Sequence, residues 1–378
     1  QARLLRGLAS NSLSQETQIK DPQRTRPMNT SVYFMISGAV VMILNATYIS
    51  SLRTSKICIS AICLCIFLAS LARPLNGFND IDNILNELSS SDKSYKLLLL
   101  YPLKLISIGS EAKLIAVGLL AAILLSIVLH RVARTDSISM VAVSALLYAL
   151  QPLVLYHYRQ YLGFSLMFAA THSYLQGKSR QFMLLSFLAI GVHPIFLAPF
   201  GLMATIRCNS FKRTILQPPR LTLGPYLKMP LQLAQNISAW IAWLTLLLTS
   251  TSLLFSMASS FLPGYSAYAE WSLEPDSVNI IAGALLLLVL GLASCFIQFK
   301  TRLSAILFFS CFGACCGITF SQLLTPLYGV SRVGSSFYPL LCYCMLSSRL
   351  TNVQFRYIAL TAPAMIVALN LAKTLSYK

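Results

Sequence analysis

Charged side chains are scarce in this chain of 378 residues: Asp, Glu, Lys and Arg make up 11% against 56% hydrophobic residues, and the mean hydropathy is +0.69. So small a charged fraction excludes an ordinary soluble globular protein. Acids are scarcer still, 11 against 29 basic residues, for a formal net charge of +18. The basic residues are scattered through short segments and build no compact basic domain, which argues against nucleic acid as a partner. Walker A, GxSxG, HExxH and Gly-rich dinucleotide patterns are absent, which disfavours nucleotide-driven pumping and serine or zinc hydrolysis. The 10 Cys include Cys63 with Cys65, Cys315 with Cys316 and Cys342 with Cys344. No CxxC pair or His at ligand spacing accompanies them, so they read as small buried residues, with neither metal nor disulfide implied. The alternation of an outer-membrane barrel is missing, and so is a clean internal repeat of the kind that marks many transporters.

What the sequence has instead is a series of apolar runs, several reaching the roughly 20 residues that cross a bilayer as helix. They fall at 31–50, 57–72, 113–130, 138–156, 160–176, 181–192, 195–206, 236–258, 277–298, 303–320, 336–348 and 357–372. The expected fold is all-α, a polytopic transmembrane helical bundle of about twelve spans. The short runs 181–192 and 195–206 fit two tilted helices, a broken helix, or one span kinked at Pro194. Residues 97–109, with Pro102 and Lys104, suit an interfacial or re-entrant segment better than a span. The polar stretch 1–27 precedes Met28 and lacks a signal-peptide apolar core, so it is expected to be a tail or upstream sequence. Residues 28–378 then form a single transmembrane domain. Its outer loops lie near 73–112, 259–276 and 321–335, and a basic inner loop near 207–235.

Orientation follows from the excess of Lys and Arg that short cytoplasmic loops carry. Arg53, Lys56, Arg131, Arg134, Lys178, Arg180, Arg207, Lys212, Arg213, Arg220, Lys228, Lys300, Arg302, Arg349 and Arg356 fall in one alternate set of loops, with Asp136 as its acid. The opposite set holds Asp80, Asp82, Glu87, Asp92, Glu111, Glu270, Glu274 and Asp276 and fewer cations. It is expected to face outward, with both termini outside. The N-terminal tail is basic and opposes this locally.

Outward cations are therefore the unexplained ones. Arg73 ends a span, while Arg159 and Arg332 each begin one. An antiparallel hairpin of 160–176 and 181–192, turning at Lys178 and Arg180, has arms of about 25 and 20 Å. It brings Arg159 and His193 to the tops of neighbouring helices. An Arg at a helix end also serves to snorkel toward headgroups, and a His before Pro also serves simply to end a helix. Three arginines and a histidine on one face favour an anion site, because the guanidinium fork holds phosphate oxygens in pairs and keeps its charge.

Three stretches carry a resemblance to a family. LARPLNGFNDIDN at 71–83 is similar to an Arg, Gly, Asp pattern after the second span, with Phe78 and Asn79 intervening before Asp80. The segment 158–197 resembles an Arg-Gln start, a basic inner turn and a His after the next apolar run, here followed by Pro194. SRVGSSFYPL at 331–340 is like the late Arg that opens a span. In this order they resemble the EpsG family of polysaccharide polymerases, within the Wzy-like group, and imply a GT-C-like membrane glycosyltransferase architecture.

The resemblance implies an enzyme that needs no cofactor or metal. It would join undecaprenyl-pyrophosphate-linked oligosaccharide repeat units at the outer face of a bacterial inner membrane, for O antigen, capsule or exopolysaccharide. Expected partners are those lipid-linked glycans, membrane lipids, a chain-length regulator and a flippase. Arg73, Arg159 with Gln160, and Arg332 are the candidates for binding pyrophosphate. Asp80, Asp82 and His193 compete as proton acceptor, an acid of the pair being preferred and His193 given a hydrogen bond to pyrophosphate or acceptor. Asp80 and Asp82 fit the role of solvated loop acids equally well. The alternatives are a flippase or transporter for lipid-linked oligosaccharides, which is no enzyme, and a glycosyltransferase using lipid-phosphate sugars.

Overall fold

Where the structure describes the apolar runs, they fold chiefly as helices. A computed structural model describes residues 52–71, 105–107, 109–135, 146–147, 149–150, 153–154, 157–207, 284–288, 290–291, 294, 297–324 and 333–350. Its elements are α1 (Leu52–Leu71), α2 (Ser110–Thr135), α3 (Tyr158–Leu175), α4 (Ser179–Val192), a 3-10 turn (Pro194–Phe196), α5 (Leu197–Arg207), α6 (Arg302–Leu324), a helical turn at 333–336 and α7 (Tyr338–Leu346). The chain is of the all-α class. One departure from the expected spans is at 297–298, where β1 (Ile297–Gln298) pairs antiparallel with β2 (Arg349–Leu350), Ile297 opposite Leu350. Backbone pairing with the segment after α7 takes these two residues out of the run 277–298.

Helix α3 lies at the centre, packed against α2, α4 and α7. From Tyr158 to Tyr174 every residue is buried except Arg159 and His172. Burial on all sides needs small or self-satisfied side chains. Gly163, Ala169 and Ala170 provide the first. Ser165, Thr171 and Ser173 provide the second, donating to the carbonyls of Tyr161, Met167 and Ala169 at 3.1, 2.8 and 3.1 Å.

The α3–α4 hairpin is the one expected from the basic turn. The Gly177 N–H donates to Tyr174 O (3.1 Å) and the Lys178 N–H to Ser173 O (2.9 Å), the paired bonds of a Schellman motif. That motif needs a left-handed residue, and Gly177 supplies it at φ 73°.

At the other end of α4, Pro194 decides among the alternatives for 181–206. It forces His193 into extended backbone (φ −152°, ψ 120°), and α4 stops at Val192. After the 3-10 turn the chain reverses. The Phe200 ring lies 5.8 Å from Phe182 and 5.7 Å from Phe187, the Tyr174 hydroxyl donates to Met203 O at 3.1 Å, and Arg207 donates to Ser179. The result is two short antiparallel helices with His193 at their junction.

The helix exteriors are as apolar as the interior. Leu64 (58% exposed), Phe67, Leu68 and Leu71 form a stripe on α1, Leu120, Ile123 and Ile127 another on α2, and Met183, Leu184 (61%), Phe187 and Leu188 a third on α4. Among the described residues one helix, Ser110–Ala133, is by itself long and apolar enough to cross a membrane.

Replacing Gly177 by Ala is expected to destabilise the fold by about 1–2 kcal/mol, the cost of a Cβ in left-handed backbone. Thermal unfolding of the purified variant against wild type measures it, and an unchanged midpoint would show that the turn does not depend on φ 73°.

Candidate anion site at the upper end of the bundle

Cross-helix contacts fix the two ends. At the lower end, His172 lies within electrostatic reach of Arg131 on α2 and Lys178 in the α3–α4 turn, and its Nδ1 is 2.7 Å from the Tyr343 hydroxyl of α7. Arg180, Arg207 and Lys300 are exposed there too. The sole carboxylate among the described residues, Glu111, is at the opposite end. The lower end is thus a cationic face, built from loops that the charge pattern assigns to one side.

The upper end is where α3 begins. The Ser70 hydroxyl, next to the end of α1, lies 3.4 Å from the Tyr161 hydroxyl. Arg73 follows α1 by two residues in sequence and lies outside the described residues, as do Asp80, Asp82 and Arg332. Val333, which follows Arg332, opens the helical turn before α7. Cys311 faces Cys344 near the lower end of α7, whereas Cys315 donates to Gly334 O (3.8 Å) and Ile318 abuts Gly334, so this turn lies higher on α6. The structure therefore brings Arg159, Gln160 and His193 to one end, together with the end of α1 and the turn that Val333 opens.

Phe196 lies between the α3 face that carries Arg159 and the junction that carries His193. A Cβ at Gly163 would collide with Phe196 Cε2 and lie 2.7 Å from Cδ2, so the missing side chain of Gly163 seats the buried ring. Arg159 is one helical turn above Gly163 on the same face of α3. The His193 ring stands edge-on to Phe196, with centroids 6.5 Å apart and planes at 85°. Arg159 is half-buried with its Nε enclosed, and Gln160 is buried beside it.

The tautomer of His193 follows from its neighbour. Its Nδ1 accepts the Ile195 N–H at 3.4 Å, so the neutral ring carries its proton on Nε2. A ring in that state donates through Nε2 and has no lone pair there to take a proton. The arrangement suits a hydrogen bond to an oxyanion better than general-base work.

The charge pattern places Lys113 among the outward cations without singling it out. In the first turn of α2 it is only 6% exposed, heading the buried stripe Leu114, Val117, Ala121, Leu125. Its place in that stripe, at Val117 minus four, is the signal the sequence carries for it.

Compared with family models, curated proteins and solved structures, the chain matches none.

Gly163→Ala is expected to cost about 1–3 kcal/mol through overpacking, and Phe196→Leu in the same chain to recover part of that loss. Thermal unfolding of the single and double variants reads both. Equal stability of Gly163→Ala and wild type would mean that the ring is not held there.

Proposed function

We propose that the chain is a polytopic bundle of about twelve spans in a bacterial inner membrane, lower end in the cytoplasm, acting at its upper end as an EpsG- or Wzy-like polysaccharide polymerase. The observation that carries this reading is that the Phe196–Gly163 contact joins the His193 junction to the Arg159 end of α3, opposite the cationic face. The apolar stripes on α1, α2 and α4 support the membrane part, since such stripes on a water-facing surface would cost folding and solubility.

In this reading Arg159 binds the pyrophosphate of a lipid-linked glycan. The bond between the anomeric carbon of the growing chain and its pyrophosphate oxygen breaks, and the electron pair leaves with the lipid pyrophosphate. A hydroxyl oxygen of the next lipid-linked unit bonds to that carbon and loses its proton. The guanidinium, held at the rim of a poorly hydrated interior, stabilises charge that grows on the leaving oxygen. His193 donates a hydrogen bond through Nε2, which leaves the proton to Asp80 or Asp82.

The flippase reading has less support. Between Gln160 and His172 the buried residues of α3 bear hydroxyls and apolar groups only, without the polar lining that a path through the bilayer midplane requires.

Arg159→Lys keeps the charge and loses the fork, and Arg159→Ala loses both. Polymerisation of lipid-linked repeat units in membranes with normal protein levels is expected to fall about 100-fold in the Ala variant, with single-repeat intermediate accumulating on the outer face. Unchanged chain lengths in both variants would remove Arg159 from the site, and accumulation on the inner face would turn the reading toward a flippase.

Orientation has its own check. A membrane-impermeant thiol reagent on intact cells is expected to label a cysteine placed at Leu105, which is 76% exposed before α2, and to spare one at Lys178, over the background of native thiols. The reverse pattern would invert the topology.

A further inference from the structure

We infer that the groove between α1 and α2 seats an acidic phospholipid of the inner leaflet, with an acyl chain along the groove and the phosphate at its lower end, by His130 and Arg131. The inference rests on the membrane part of the proposed function and needs nothing from the upper end.

The groove is the first observation. Cys63, Leu64 and Phe67 of α1 and Ile123, Ser126 and Ile127 of α2 line an open channel of about 400 Å³, almost wholly apolar. Leu64, Phe67, Ile123 and Ile127 belong to the outward stripes, so the channel opens on the surface read as facing the bilayer. Ile123 and His130 stand seven residues apart on α2, which gives the channel a length of about 10 Å. A flexible hydrocarbon chain conforms to such a slot, where a void would forfeit dispersion contacts.

Its lower end is the second. His130 closes the channel there. Its Nδ1 lies 3.1 Å from Ser126 O and 3.8 Å from Cys63 Sγ, and its Nε2 lies 3.4 Å from the Ser60 hydroxyl. A carbonyl only accepts, so Nδ1 carries a proton and the ring is held in one orientation. Apolar walls that end in an oriented ring and a hydroxyl match a molecule with a hydrocarbon body and a polar head.

Charge and height select the head. Arg131, next on α2 and exposed, lies toward His172 and Lys178 at the cationic lower end, where Arg180, Arg207 and Lys300 are exposed and no carboxylate occurs among the described residues. Cations without acids favour an acidic headgroup over a zwitterionic one. α2 continues five residues beyond His130 to Thr135, about 8 Å lower. The headgroup layer is about 5–7 Å deep on each side of a bilayer, so His130 stands where phosphate gives way to acyl chain.

The test reconstitutes purified protein in vesicles of phosphatidylcholine and phosphatidylglycerol in equal parts, with bromine on the acyl chains of one lipid or the other. Ile127→Trp reports from the channel, and Leu120→Trp, on the same stripe of α2 two turns higher, reports from outside it. Quenching by bromine is read as the difference from wild type, which subtracts the native tryptophans. At Ile127→Trp brominated phosphatidylglycerol is expected to compete about five-fold better than brominated phosphatidylcholine, the pull of one basic side chain on an acidic lipid. At Leu120→Trp the two are expected to be equal, and adding His130→Gln and Arg131→Gln is expected to make them equal at Ile127→Trp as well. Equal quenching at Ile127→Trp in the otherwise unchanged chain overturns the inference, and so does a preference that survives the two added substitutions or is as large at Leu120→Trp. Quenching at Leu120→Trp with none at Ile127→Trp means that protein, from this chain or a second copy, covers the channel. Absence of quenching at both sites refutes the membrane part of the proposed function along with the inference. Ile123→Trp, in the same lining, serves should Ile127→Trp not accumulate.

Discussion

Close burial of α3 on every side is the constraint from which the rest of the described structure follows. A helix enclosed from Tyr158 to Tyr174 cannot rotate or tilt without breaking contact with α2, α4 and α7 together. Its two unburied residues, Arg159 and His172, are held at fixed heights by packing instead of by polar bonds along the way. Enclosure also dictates composition. Glycine and alanine let neighbours approach, and hydroxyls that bond back to their own helix present no unmet polarity to the partner.

The α4–α5 pair depends on that enclosure. Two helices this short leave their junction near one end of α3, and the Phe196 ring closes the junction against the only kind of residue that leaves room for it. His193 is thereby carried to the same end of α3 as Arg159. Pro194 contributes twice: it ends α4, and its effect on the preceding residue turns the His193 ring toward the Ile195 amide.

Along-chain features were legible in the sequence and lateral ones were not. The hairpin between 158 and 192 could be read because its signals are local: a basic, Gly-containing turn between apolar runs of matching length, closed by His-Pro. Arg159 and His193 could be paired by counting rise. Which face of each helix turns inward could not be read. Helices that are apolar all round carry little contrast between faces, so neither the outward stripe of α1 nor the seat at Gly163 stands out in the sequence. The burial of Lys113 belongs to the same class, since it depends on what α1 and α3 place beside α2. The tautomer of His193 depends on one backbone amide, and the strand pair at Ile297 on a segment far along the chain. Arg73, Asp80, Asp82 and Arg332 lie outside the described residues, so the proton acceptor rests on sequence.

The hydroxyls of Ser70, Ser165, Thr171 and Ser173 each return to a carbonyl four residues back on the same helix. Among the described residues the three on α3 bond to no neighbouring helix, and from Leu162 to Thr171 the described contacts of α3 are matters of shape. Register is pinned near the extremities, by Ser70 against Tyr161 above and by His172 against Tyr343 below. An interface of that kind resists sliding at its ends and is smooth between them. A small displacement of α1 relative to α3 would then exchange one polar contact and little else, and would be felt first beside Arg159.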